Sequence, residues 1–123
     1  MLLNSMVKEL NILGSNYIGG IIGFQSSNKT TTILNSSVQQ SNLTGSNYVG
    51  GIIGYCFSKL YLTNVHIEFV RLSGSSLTFG VVVGQNSAGT YLFANSVAAS
   101  NYIKDVKQSE CVSLSNTWSV TGC

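Results

Sequence analysis

The sequence contains no proline and a single histidine, and only 8% of its 123 residues are charged. The missing proline excludes a Pro-rich linker. A typical domain carries roughly 25% charged residues, so this chain has little long-range field with which to steer a partner. Its six basic residues are Lys8, Lys29, Lys59, Arg71, Lys104 and Lys107, and the net charge is +2. Only the last two lie close together and no basic stripe forms, which excludes a nucleic-acid footprint. No apolar run approaches the ~18–20 residues of a membrane span. The opening "MLLNSMVKEL" lacks a basic segment followed by a long apolar stretch, so no signal peptide is visible. A cytosolic chain and a piece of a longer secreted protein both fit these absences. The repeats described below favour the secreted piece and an extracellular or cell-surface location.

Chemistry-bearing residues are equally sparse. The acids are Glu9, Glu68, Asp105 and Glu110, far apart in sequence. A calcium site usually takes several oxygen ligands including Asp, and the chain has one Asp. Cys56, Cys111 and Cys123 lack zinc-type spacing. Cys111 and Cys123 form a candidate disulfide that would staple the C-terminal segment, with reduced structural cysteines as the alternative. His66 and Glu68 would share one face of an extended strand. That pairing can serve acid–base chemistry, but it more commonly marks a solvated strand face. No nucleophile-elbow pattern supports a triad of His66 and Asp105 with a serine. The expectation is therefore no catalytic residue, no metal and no cofactor.

Polarity comes instead from twelve Asn, nineteen Ser and nine Thr. Sequons occur at Asn28, Asn35 and Asn42, about as many as chance supplies at this Ser/Thr content. Asn28, in a Ser/Asn/Lys/Thr loop, is the best glycosylation candidate, because a glycan on Asn35 could obstruct the repeat described next. Six tyrosines (Tyr17, Tyr48, Tyr55, Tyr61, Tyr91 and Tyr102) are many for this length. With the asparagines they suit a carbohydrate-contact face, with packing and turn-covering as the plainer role.

The dominant feature is internal repetition, which is best sought before any other. "NYIGGIIGF" at Asn16–Phe24 returns as "NYVGGIIGY" at Asn47–Tyr55, 31 positions later, and again in degraded form as "FGVVVG" at Phe79–Gly84. A fourth copy is matched loosely by "ECVSLS", with Cys111 in place of Gly80 and Leu114 in place of Val83. The intervening stretches align as well. They give columns Asn4/Asn35/Asn64/Asn95, Val7/Val38/Ile67, Ile12/Leu43/Leu72/Ile103 and Gly14/Gly45/Gly74. The β-branched and aromatic content favours strands, with turn punctuation every 8–12 residues. No helical stripe is sustained.

Three short strands per ~30 residues predict an all-β parallel β-solenoid of about four coils. The expected repeats are 2–31, 32–61, 62–91 and 92–123 within one domain, itself possible as a segment of a longer chain. Apolar ladders Ile18/Val49/Phe79 and Ile22/Ile53/Val83 would fill the interior, and the Asn column would bond its amides between coils. Gly19, Gly20, Gly50 and Gly51 would mark a bend or a close backbone approach, and Gly80 keeps the place of Gly50 in the third copy. Gly23, Gly54 and Gly84 would turn the corner after the strand, and Gly14, Gly45 and Gly74 would take φ > 0. A β-sandwich is the runner-up, but it has no need of one phrase at a fixed period.

At "YVGGIIGY" and its flank "NSSVQQSNLTGSN" the sequence resembles the GLUG repeat of bacterial surface proteins such as adhesins and IgA-specific peptidases. It also resembles the Asn/Ser-rich surface arrays of protists. The core matches at Gly20–Gly23 and Gly51–Gly54 with Ile for Leu, and fails in the third copy where Val81 replaces the first glycine. The resemblance implies a stalk or passenger region of an extracellular protein, without a catalytic site. Two functions follow. The first is a non-catalytic module of a surface, adhesive or filament-forming protein that self-associates by coil stacking or docks on neighbouring repeats, since the first repeat begins at Leu2 with no evident cap. The alternative is a carbohydrate-binding or polysaccharide-degrading β-helix.

Overall fold

The computed structural model describes residues 2–26, 29–75, 78–87, 91–108 and 111–113. Every regular element among them is a strand, and most strands are three or four residues long. The first repeat holds β1 (Leu2–Leu3), β2 (Met6–Lys8), β3 (Asn11–Leu13), β4 (Tyr17–Gly19) and β5 (Ile22–Gln25). The second holds β6 (Thr31–Leu34), β7 (Ser37–Gln39), β8 (Asn42–Thr44), β9 (Tyr48–Gly50) and β10 (Ile53–Cys56). The third holds β11 (Leu60–Thr63), β12 (His66–Glu68), β13 (Arg71–Ser73), β14 (Thr78–Gly80) and β15 (Val83–Asn86). A partial fourth holds β16 (Tyr91–Ala94), β17 (Ser96–Ala99) and β18 (Tyr102–Ile103), followed by β19 (Val106–Lys107) and β20 (Cys111–Ser113).

Corresponding strands pair in parallel to give five sheets: β1-β6-β11-β16, β2-β7-β12-β17, β3-β8-β13-β18, β4-β9-β14 and β5-β10-β15. The register reproduces the sequence columns. Val7 pairs with Val38 and Val38 with Ile67, Ile12 with Leu43, then Leu72, then Ile103. Ile18 pairs with Val49, then Phe79, and Ile22 with Ile53, then Val83. The chain is all-β with parallel sheets, an arrangement compatible with a β-solenoid.

The geometry explains the five-residue spacing of inward side chains. Ile33, Val38 and Leu43 are fully buried, as are Ile67 and, within 1%, Leu62 and Leu72. Each three-residue strand turns one side chain inward. The chain then bends at a residue of positive φ before the next strand begins. The first bend is the asparagine column, with φ of 52°, 51°, 53° and 48° at Asn4, Asn35, Asn64 and Asn95. Asn is among the few residues that enter this region easily. The second bend falls at Glu9, Gln40, Phe69 and Ser100, with φ between 49° and 57°. Of the glycines expected to carry positive φ, only Gly74 does (116°). Gly14 and Gly45 do not; a Cβ at either would instead crowd the Ile18 side chain.

A buried polar residue follows each bend in alternate repeats and takes up a backbone donor from its neighbour. The Ser36 hydroxyl accepts from Ser5 N–H (3.2 Å) and donates to Leu34 O (2.9 Å). Ser41 does the same for Leu10 N–H and Gln39 O. Ser96 accepts from Val65 N–H (3.0 Å), and the Asn101 amide accepts from Val70 N–H (3.0 Å) while donating to Ile67 O (2.9 Å). These bonds satisfy corner groups that would otherwise be buried without a partner.

The C-terminal part departs from the expected fourth repeat. Cys111 lies opposite Ala98 in an antiparallel pairing of β20 with β17, instead of stacking on Gly80. β19 pairs antiparallel with β18, joining Ile103 to Val106 across two residues. Those two, Lys104 and Asp105, have φ of 48° and 63°, the requirement of a type I′ hairpin turn. The reversal closes two of the five sheets on that side. On the other side, β1 to β5 are each the outermost strand of their sheet among the described residues.

Candidate functional site

The repeated phrase builds a surface of its own. β4 and β5 follow one another in the chain and press together through glycine. A Cβ on Gly19 would collide with Ile22 O, and one on Gly54 would lie 2.6 Å from Gly23 O and 2.7 Å from Ile18 N. Gly23, Gly54 and Gly84 therefore sit inside β5, β10 and β15, not at a corner after them, where they admit the neighbouring backbone. This contact brings together the aromatic residues at the two ends of the phrase. Tyr17 and Phe24 ring centroids are 4.5 Å apart. Tyr17 stacks on Tyr48 of the next repeat at 5.4 Å with planes within 4°, and Tyr55 meets Phe24 at 5.4 Å and Tyr48 edge-on at 5.2 Å. The four rings form one cluster with Tyr17 41% and Phe24 46% exposed. Edge-on and offset arrangements of this kind are the favoured aromatic geometries.

The cluster ends at the third repeat. Thr78 occupies the register position of Tyr48, and Gln85 that of Tyr55. Beside Tyr48 a surface depression of about 290 Å³ opens, lined by Ser46, Asn47, Ser75 and Thr78 as well as the tyrosine. Its polar groups are hydroxyls and one amide, with no charged side chain among them. The Asn47 amide donates to Asn16 Oδ1 (2.6 Å), and the Ser46 hydroxyl donates to Ser15 O.

The other sequence-derived candidates lie apart from this cluster. Asn42 and Asn35 are exposed in neighbouring ladders. Asn42 Nδ2 donates to Asn11 Oδ1 (2.8 Å), and Asn35 Oδ1 accepts from Asn64 Nδ2 (2.9 Å). Asn28, Glu110 and Cys123 lie outside the described residues, and Cys111 is described only by the pairing of its strand, so the Cys111–Cys123 disulfide falls outside them too. Cys56 is fully buried, its thiol donating to Ser58 O at 3.3 Å. Burial pushes that thiol up from its ordinary pKa, against a smaller opposing effect of the Ser58 bond.

His66 and Glu68 share the outer face of β12, flanked in register by Ser37 and Gln39 on one side and Val97 and Ala99 on the other. None of these register partners is titratable. Glu9 and Glu68 stand in adjacent columns two repeats apart, with the uncharged Gln39 and Gln40 between them, roughly 10 Å by strand spacing. Asp105 is turned to Arg71 at 3.5 Å instead of to His66, and Arg71 lies over the Tyr102 ring at 4.5 Å. Among the described residues no three His, Cys, Asp or Glu gather as metal ligands, and no helix is long and apolar enough to cross a membrane.

Of the six tyrosines, the fold unites Tyr17, Tyr48 and Tyr55; Tyr61 lies in β11, Tyr91 in β16 and Tyr102 in β18. Phe24, Ser46, Ser75 and Thr78 have no individual signal in the sequence. Their only trace is columnar: the alignment of Tyr17, Tyr48 and Thr78 shows a ring missing from the third copy. No family model, curated protein or solved structure matches the chain.

Proposed function

We propose that this chain is a β-solenoid module, non-catalytic and structural, of an extracellular surface, adhesive or filament-forming protein that associates by stacking coil on coil. One observation carries the reading: equivalent residues pair in register across all five sheets, so each repeat is a template for the next. Such a structure is stabilised by intrinsic repeat energies and nearest-neighbour interfaces. Val7 and Ile12 in the first repeat are only half-buried, whereas their partners Val38 and Leu43 are fully buried. Another coil laid on β1–β5 would complete those ladders. The antiparallel β19 and β20 oppose the same growth at the other side in two sheets. The resemblance to GLUG-type surface repeats and the low-charge Asn/Ser/Thr surface support the extracellular setting.

The test is light scattering and negative-stain electron microscopy of the purified chain over a hundredfold concentration range, with surface proteolysis of the source cells. Paired or rod-like particles joined at one end, and protein released by external protease, are expected. A monomer at every concentration would overturn the stacking, and protection from protease in intact cells would overturn the location.

A further inference from the structure

We propose that the ring face of Tyr48, together with the depression beside it, is a contact site for an uncharged sugar residue. The aromatic column supplies the first argument. Tyr17 and Tyr48 are stacked nearly parallel at the inter-repeat distance, so a third ring would lie on Tyr48 if the register continued. Thr78 stands there instead, and Tyr48 and Thr78 both line the depression of about 290 Å³. That volume is at the small end of ligand pockets, which begin near ~300 Å³. It suits one or two monosaccharide units.

The lining supplies the second argument. A pyranose presents an apolar C–H face on one side and hydroxyls around its rim. Here Tyr48 is the one aromatic residue among the described lining residues, and the others are Ser46, Asn47, Ser75 and Thr78. Tyrosine gives a rigid apolar plane at low entropic cost, and hydroxyls and amides match a hydroxyl-rich rim as donors and acceptors. A phosphate, sulfate or uronate would call for a cation, and none is among the described residues that line the site. A nucleic-acid base can also stack on tyrosine, but single-strand binding sites pair stacking with a positive groove, which is missing. Tyr17, Phe24 and Tyr55 continue the aromatic wall away from the depression, so further units of an oligosaccharide have rings to lie against. The site is independent of coil stacking, since its residues come from the second and third repeats and none belongs to β1–β5 except the more distant Tyr17 and Phe24.

The experiment is saturation-transfer-difference NMR on the full chain, with maltotriose, cellotriose and mannotriose as neutral probes and trigalacturonate as the charged one. At least one neutral trisaccharide is expected to receive saturation and to shift the Tyr48 ring signals, with a Kd on the order of millimolar for so small a contact. Tyr48→Ala should weaken that binding by about tenfold or more, a loss of one good contact on the affinity scale. Thr78→Tyr should abolish binding by placing a ring in the sugar's position, while completing the column and leaving the melting temperature unchanged or raised. Tyr48→Leu keeps apolar bulk should Tyr48→Ala unfold, and is expected to lose binding as well. Tyr61→Ala should bind as the parent does. Absence of binding to all three neutral probes, binding undiminished in the Tyr48 and Thr78 variants, or preference for trigalacturonate would each overturn the assignment. None of these outcomes bears on oligomeric state, so the stacking proposal stands or falls separately.

Discussion

At the scale of single residues, the fold depends on bends that L-amino acids resist. A left-handed backbone disfavours most side chains by about 1–2 kcal/mol, with Asn and Gly as the usual exceptions. The Asn column meets that demand and adds a side-chain rung between Asn64 and Asn35. Asn64→Ala should therefore destabilise by about 1–2 kcal/mol, combining the backbone preference with one exposed hydrogen bond. The second bend is populated by residues without that preference, and Phe69, 55% exposed with φ of 55°, is the least suited of them. Phe69→Asn should raise stability by about 1 kcal/mol. Chemical denaturation of the two variants beside the parent checks both signs. Cys56 gives a pH-dependent prediction. Its folded thiol pKa is raised by burial, so the neutral form is favoured in the fold. The corresponding stability is fully present below the unfolded thiol pKa, about 8.5, and is lost as pH rises from there toward the higher folded value. The denaturation midpoint of the parent should fall more steeply than that of Cys56→Ala between neutral and alkaline pH.

At the scale of elements, the close approach of β4 to β5, of β9 to β10, and of each repeat to the next rests on glycine. A methyl on Gly54 would meet the backbone of Gly23 and Ile18, neither of which can rotate away. Gly54→Ala should destabilise by about 3 kcal/mol or more, at the upper end of overpacking effects, and thermal unfolding would show it as a large drop in Tm. The β18–β19 hairpin makes the opposite kind of prediction. Lys104 and Asp105 fill a type I′ turn that prefers Asn-Gly. The double substitution Lys104→Asn, Asp105→Gly should stabilise the hairpin by about 1 kcal/mol, seen as slower amide exchange of Lys107 and Tyr102.

At the scale of the whole molecule, the two ends of the stack differ. Among the described residues, one side is partly closed by antiparallel strands, and on the other β1 to β5 are outermost and the apolar ladders are half-covered. Natural sheets commonly protect such edges with lysine. Edge strand β2 carries Lys8, but Met6 beside it and Leu13 on edge strand β3 are apolar and 67% and 83% exposed. Met6→Lys with Leu13→Lys should shift the chain toward monomer in light scattering and leave its denaturation midpoint nearly unchanged, because neither side chain is packed. Persistence of the same assemblies in the double variant would place the association elsewhere.

Much of the fold was legible in the sequence because a stack of repeats is close to one-dimensional. Each column, from Val7/Val38/Ile67 to Ile22/Ile53/Val83, records which residues pair in register. The period and the apolar alternation are enough to recover the inward ladders and the parallel direction. The bends were half legible, since Asn advertises a left-handed backbone and Glu, Gln, Phe and Ser do not. The C-terminal reversal was hidden for the same reason: Lys-Asp is not a hairpin dipeptide by composition, and its turn forms because β18 presents an edge for β19 to pair with. The candidate site was also beyond the sequence. Tyr17 and Phe24 are separated by the glycine run of one phrase, and only the glycine-to-backbone contact of β4 with β5 makes them neighbours. The sequence by itself determined the ladders, because identical neighbours impose identical pairing. Tertiary structure alone decided where the stack closes and which rings meet, because both depend on backbones approaching across space.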